Sequence, residues 1–339
     1  MTQVAALSVR PQWQQELAQA ITEPQQLLEA VGLAHLANSH DEAARRLFAL
    51  RVPRPFVAQM QYGNADDPLL RQVMTQAAEF ESPADYSSDP LAEQQGPVPG
   101  LLHKYPSRVL LVLKGGCAVN CRYCFRRHFP YQEHRLDRQT LQQALAYIAN
   151  QPAVNEVILS GGDPLMANDR QLAELLTQLA QLPQLQRVRI HSRLPVVIPS
   201  RLTDELAASL SQSRLQSVLV IHANHAQELS DGLLGKLQNW QRQGITLLNQ
   251  SVLLAGVNDN LDALSTLSER LFSGGVLPYY LHQLDKVKGA SHFAVSDARA
   301  QQLWQQMLTR LPGFLVPRLV REEANKLSKS PMMPVMTDH

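Results

Sequence analysis

Cysteine is nearly absent from this chain: three occur in 339 residues, and none lies outside positions 117–124. An odd, tightly grouped set cannot build a disulfide framework, so the thiols serve one site, and unpaired thiols suit a reducing compartment. No run of about 18 apolar residues occurs, so no membrane-spanning helix is expected. The opening stretch MTQVAALSVRPQWQQ lacks a basic segment followed by an apolar one, and the reading is cytoplasmic. Charge of one sign is not in excess either. With 31 Lys and Arg against 30 Asp and Glu the net charge is +1, so the overall field marks neither a nucleic-acid binder nor a membrane-surface protein. What is present is apolar substance, 45% of residues, enough for one large α/β domain or two modest ones.

Residues 11–80 carry apolar side chains at helical spacing, as in Trp13, Leu17, Ala20 and Ile21, then Leu27, Leu28 and Val31, which predicts a small helical region. The stretch ESPADYSSDPLAEQQGPVPG is crowded with turn formers and reads as a connector. From Arg108 onward, strand-like runs begin at Arg108, Val154, Arg187, Ser217, Ile245 and Val276. They alternate with helix-like segments at 137–150, 169–182, 203–211, 231–243, 261–272 and 296–311. Six β/α units predict a parallel sheet. A doubly wound sheet fits the same string. A partial (β/α)6 barrel is preferred because the unusual residues follow the strands, where a β/α barrel gathers its active groups. The expected boundaries are 1–81 for the helical region, 82–107 for a connector, 108–311 for the barrel and 312–339 for a tail that crosses the opening or the barrel mouth.

The three cysteines, Cys117, Cys121 and Cys124 in CAVNCRYCF, are spaced by three residues and then two. A loop of that kind aims three thiolates at one face, which suits three irons of a four-iron cubic cluster and leaves the fourth iron open. The rival is structural zinc with His128 as fourth ligand, although such sites usually pair two knuckles and only one occurs here. The pattern resembles the signature of the radical S-adenosylmethionine (SAM) enzymes. The resemblance implies a 4Fe-4S cluster whose open iron chelates SAM and splits it to a 5′-deoxyadenosyl radical.

Other motifs follow the strands. LSGGDPL has two glycines that let backbone approach a ligand. It is otherwise a turn, and the resemblance assigns Ser160, Gly161, Gly162 and Asp163 to SAM. HKYPSR sets Lys104, Tyr105 and Arg108 before the first barrel strand, either a phosphate clamp or a solvated basic turn. Arg126, two residues past the last cysteine, suits capture of a carboxylate, whereas Arg122, Arg127, Arg135 and Arg138 read as a surface basic patch. His222, Asn224, His225 and Gln250 stand at strand ends. They line a SAM pocket or satisfy buried backbone, with His222 and Gln250 taken as the candidates.

With HKYPSRVLLVLKGGCAVNCRYCFRRHF, EVILSGGDPL, SRLPVVIPSRL, NQSVLLAGVND, PYYLHQLDKVKGASHF and SKSP together, the chain from about His103 to Pro331 resembles the lysine 2,3-aminomutase family. The resemblance implies two organic cofactors, SAM and pyridoxal 5′-phosphate (PLP), and migration of an amino group from C2 to C3 of L-lysine. It puts the PLP lysine at Lys329, with Lys326 as nearest rival, and PLP at Lys104, Tyr105 and Arg108. It puts the substrate's distal ammonium at Asp285 and Glu322. Glu322 stands where the family's lysine mutases carry aspartate. The run before Lys329 reads EANKL instead of glycines, and the chain stops ten residues after that lysine. These departures resemble the bacterial branch that makes (R)-β-lysine for elongation factor P, which implies a functional link to that factor and its ligase. An electron donor such as flavodoxin is also implied. The rival functions are a radical SAM enzyme acting on RNA, or a zinc protein without catalysis; net charge gives direct nucleic-acid binding no support.

Overall fold

Every barrel strand in this chain exposes two kinds of side chain in alternation, and the computed structural model, which describes residues 10–37, 39–324 and 326–332, follows that alternation. One nine-stranded sheet runs in chain order: β1 (Leu101–Tyr105), β2 (Arg108–Lys114), β3 (Glu156–Gly161), β4 (Arg187–Ser192), β5 (Gln216–Ile221), β6 (Thr246–Val252), β7 (Leu277–His282), β8 (Arg318–Arg321) and β9 (Ser330–Pro331). Strands β2 to β8 are parallel, while β1 and β9 pair antiparallel at the two edges. Val157 and Leu159, Val188 and Ile190, and Leu219 and Ile221 point outward into the core. Between them Glu156, Ile158, Ser160, Arg189, His191 and Gln250 point inward to a cavity, as a period of two requires.

The six expected β/α units are present, and helices 138–149, 169–180, 204–211, 231–242, 261–273 and 297–310 cover the sheet. Each opens on a side chain that accepts a backbone N–H: Asp137, Asn168, Thr203, Ser230, Asn260 and Ser296. Such caps satisfy donors that the first helical turn leaves unpaired. The sheet extends beyond those units into the segments read as connector and tail. The three added strands are short, five residues in β1, four in β8 and two in β9, so none gives a periodic signal long enough to separate from loop. Among the described residues no strand pairing joins β1 to β9, so the barrel they form is open on one side.

Residues 10–80 form short helices at 12–18, 24–30, 39–47, 54–57 and 68–71. Their core, with Trp13, Leu27, Phe56 and Leu69, is continuous with that of the barrel. They also dock onto the cysteine loop through polar bonds. Asn120 N donates to Arg51 O at 3.0 Å and Arg122 N to Gln72 O at 2.9 Å.

Arg122 and Arg127 do not join a surface basic patch. The Arg122 side chain is fully buried, as is the Glu79 carboxylate that it shares with Arg127, because a buried guanidinium needs an anion and Glu79 supplies it. Arg135 and Arg138 remain exposed. Replacing Glu79 by glutamine strands two buried cations, so Glu79→Gln is expected to lose about 3–5 kcal/mol of stability, read as a lower urea midpoint at unchanged slope.

Candidate active site

The open barrel encloses a cavity of about 820 Å³, lined by residues of every parallel strand and of the cysteine loop. Cys117, Cys121 and Cys124 line it, as do Lys104, Tyr105, Arg108, Arg126, Ser160, Gly161, Gly162, Asp163, His222, Gln250, Asp285, Glu322 and Lys329. The candidate site residues therefore share one space, although they span 226 positions of sequence from Lys104 to Lys329, both ends included.

The cysteine loop meets the end of β3 through glycine. Gly162 N donates to Lys114 O at 2.7 Å and Asp163 N to Gly116 O at 2.9 Å. A Cβ on Gly162 would lie 2.6 Å from Gly116 O, and Gly161 has φ +121° with its missing Cβ 2.7 Å from Lys114 O. Only glycine permits this approach. Asp163 lines the cavity, and its carboxylate braces the next strand. It accepts Ser192 Oγ at 2.7 Å and the amides of Leu165, Arg193 and Leu194 at 2.9–3.0 Å.

The three thiols are unpaired. Burial raises Cys117 well above the ordinary thiol value and Cys124 to about 11, with the neighbouring cysteines adding to both. Three half-buried thiols lining one wall suit a bound cation that deprotonates them. Among the described residues no three His, Cys, Asp or Glu side chains close on a single ion; a cubic cluster meets each thiolate at a different iron. His128, the rival fourth ligand, is exposed and sets Nε2 3.4 Å from Lys288 O. The cysteine set fits a cluster.

Glu93 was not legible as a site residue. It rises from the connector after Ala92, whose φ of +51° is a left-handed conformation costing roughly 1–2 kcal/mol for a residue with a Cβ. Its carboxylate joins Lys104 Nζ at 3.1 Å and Arg126 Nε at 2.8 Å. Burial works to raise Glu93, but the Arg126 and Lys104 charges outweigh it and hold the carboxyl low. Arg126 Nη1 goes to Ser160 Oγ at 3.0 Å and Gly161 O at 3.2 Å, which leaves Nη2 as the arm of the fork without a partner among the described residues.

Across the opening, Tyr105 OH donates to Glu322 Oε1 at 2.8 Å, and Lys329 Nζ bonds the other Glu322 oxygen. Burial pushes Glu322 up, yet Lys329 and the Tyr105 hydrogen bond bring it below its ordinary value. Asp285 has no such relief. Burial is the main cause that lifts its carboxyl to about 7, with Glu322 and Glu93 adding and Lys329 opposing. Arg108 stacks 3.9 Å over the Tyr105 ring, and Arg189 and Arg318 share the wall with it.

Three histidines face inward together. His222 Nε2 lies 3.4 Å from His191 Nδ1, and His282 lines the same space. Burial takes His222 down to about 3 and holds His191 and His282 well below the usual imidazole value, with nearby cations contributing. All three are neutral near pH 7. His191 Nε2, His282 Nε2 and Gln250 Oε1 are buried with no hydrogen-bond partner, so this wall carries polar atoms that a ligand would satisfy. His191 and His282 had a signal in the alternation of RVRIHS and LPYYLH. Asn224 also reaches the cavity, but its amide bonds Gln72 Oε1 and the Tyr123 hydroxyl at 2.9 and 2.7 Å; His225 caps a short helical turn instead.

Comparison with known proteins gives three findings. The radical SAM superfamily pattern matches residues 111–260. The chain is 52% identical over 324 residues to the L-lysine 2,3-aminomutase of Escherichia coli (strain K12), covering 95% of each, and 50% identical over 319 residues to that of Haemophilus influenzae, covering 94% of each. It is 36% identical over 281 residues to the L-lysine 2,3-aminomutase of Acetoanaerobium sticklandii, covering 82% of this chain and 68% of that one. Among the described residues no helix is long and apolar enough to cross a membrane.

Proposed function

The chain belongs to the L-lysine 2,3-aminomutase family within the radical SAM superfamily, and from that premise we propose that it converts L-lysine to (R)-β-lysine. The observation that carries the reading is one cavity, lined at one end by three thiols and at the other by Lys329, Glu322 and Asp285. When bound, the cluster with SAM supplies a carbon radical, and PLP supplies a conjugated ring that steadies the migrating amino group.

The side chains divide the remaining work. Cys117, Cys121 and Cys124 would hold the cluster with three thiolates, which leaves it a position for SAM. Gly161 and Gly162, bare of Cβ, together with Ser160, His222 and Gln250, offer backbone and polar atoms to SAM, while Asp163 braces that turn. Tyr105 and Arg108, with Lys104, are the PLP-phosphate group. Arg126 offers its remaining Nη2 to the substrate carboxylate. The neutral histidines add no positive charge, so the distal ammonium of lysine is drawn to the carboxylates instead. Glu322 has its charge matched by Lys329, so it serves a second ammonium fully only once Lys329 is no longer an ammonium itself. Asp285 is the carboxylate that stands ready.

This assignment fixes a pH dependence. Only ionised Asp285 matches an ammonium, and its carboxyl titrates at about 7. Lysine KM is therefore expected to fall about tenfold per pH unit as pH rises toward the Asp285 value and to level off above it, at pH 7 or higher because the Lys329 charge that opposes the rise is lost once Lys329 is no longer an ammonium. Asp285→Asn removes that slope and raises lysine KM roughly 10- to 100-fold, the worth of a hydrogen bond to a charged group. Anaerobic turnover by reconstituted protein, followed by chromatographic detection of β-lysine, checks both. Absence of β-lysine from free lysine and from lysyl-modified elongation factor P would remove the reading.

The finer role, supplying β-lysine to a ligase that modifies elongation factor P in the cytoplasm, is supported by the higher identity to the Escherichia coli and Haemophilus relatives than to the Acetoanaerobium one. Comparing turnover of free lysine with that of the lysyl-modified factor tests it. The same reading calls for an electron donor of the flavodoxin kind.

A further inference from the structure

Cys121 differs from its two neighbours in what faces it. Arg193, just past β4, directs Nη1 at the Cys121 sulfur from 3.0 Å. The guanidinium is buried and fixed on its far side, where Nη2 donates to Gln72 Oε1 at 2.9 Å and to Glu228 Oε2 at 3.2 Å. Those two partners are themselves out of solvent, 0% and 1% exposed. Glu228 is held by the amides of Asn224 and His225 at 2.9 and 3.0 Å, and the Tyr123 hydroxyl also meets Nη1. The Arg193 backbone is pinned as well, its N–H donating to Asp163 Oδ2 at 2.9 Å. A cation so enclosed cannot swing into water when its neighbour changes charge.

We propose that Arg193 is a positioning residue of the metal center, donating a charged hydrogen bond to the Cys121 thiolate and thereby raising the reduction potential of the cluster held there. The inference rests on the three-cysteine cluster reading above. Reduction adds one electron to the cluster and increases the negative charge carried by its sulfurs. A fixed N–H donor bearing full positive charge stabilises that reduced state more than the oxidised one, and burial keeps solvent from screening the difference. The guanidinium keeps its protons throughout, so the step is electron transfer alone. Gln72 belongs to the N-terminal helical region, which gives that region a part in the chemistry: it holds the cation that tunes the cluster.

The test is a dithionite titration of the reconstituted holoprotein under exclusion of oxygen, followed by electron paramagnetic resonance, with iron and sulfide assayed in each sample. Arg193→Gln is expected to keep its cluster and to shift the midpoint downward. The shift expected is about tenfold or more in the ratio of reduced to oxidised cluster at fixed potential, about 59 mV for a one-electron couple. Glu228→Gln, which removes the counter-charge behind the guanidinium, is expected to shift the midpoint upward. An unchanged midpoint in Arg193→Gln at full iron content overturns the proposal. Should Arg193→Gln fail to fold, Glu228→Gln decides alone, and an unchanged or lowered midpoint there overturns it. Parent protein that assembles no four-iron cluster removes the cluster reading itself, an outcome that the iron and sulfide assay separates from a cluster whose potential does not move.

Discussion

Cys124→Ala is expected to leave a folded chain that binds less than a stoichiometric cluster and turns over no lysine, a fall of roughly 10⁶-fold or more toward the uncatalysed rate. Two thiolates cannot hold three corners of a cube, and the open iron has no function once its neighbours are lost. Folding survives because bonds independent of metal hold the loop. Arg51 Nη1 donates to Cys117 O at 3.1 Å and Asn120 Nδ2 to Ala49 O at 2.8 Å, in addition to the backbone bonds to Arg51 and Gln72. A zinc knuckle, whose metal supplies the folding energy, would unfold instead. Circular dichroism beside iron, sulfide and SAM-cleavage assays distinguishes the outcomes. A Cys124→Ala protein with full iron content and normal turnover would contradict the assignment.

Lys329→Ala is expected to lose the visible band of bound PLP after gel filtration and to reduce turnover by about 10³-fold or more, since placing a reactant is worth at least that much. Lys329 is half-buried, its ammonium bonded to Glu322 and 5.7 Å over the Tyr280 ring. Lys326 is exposed and does not line the cavity, so Lys326→Ala is expected to keep the band. The two variants together decide between the lysines, and retention of the band in Lys329→Ala with its loss in Lys326→Ala would reverse the assignment. Removing Lys329 also leaves half-buried Glu322 with the Tyr105 hydroxyl as its remaining hydrogen-bond partner. Its carboxyl should then rise, because the cation that holds it down is gone.

The cysteine loop, GGDP and the strand-end histidine and glutamine were legible because each is a local pattern attached to a strand whose period could be read. The six helices were legible for the same reason, and their caps stand at or within a residue of the predicted starts. Glu93 was not legible. A glutamate among turn formers carries no sign that its neighbour takes a left-handed conformation and aims it at two cations. Arg122 and Arg127 misled in the other direction, because clustered arginines look like a solvated patch until Glu79, 43 residues before Arg122 in sequence, is seen beneath them. Arg193 lies in the SRLPVVIPSRL string, where nothing local marks it as the neighbour of a cysteine.

Composition and spacing alone determined that three thiols lie in one short loop, that β/α units repeat, and that no run is long and apolar enough for a membrane-spanning helix. These are properties of neighbours in sequence, and the periods of strand and helix carry them. Tertiary structure alone decided that Tyr105 and Glu322, 217 positions apart, meet across the open side of the barrel, that Glu93 bridges Lys104 and Arg126, and that Gln72 steadies an arginine against Cys121. Such contacts depend on how far the sheet curls and on which buried charge finds which partner, and a one-dimensional pattern does not encode either.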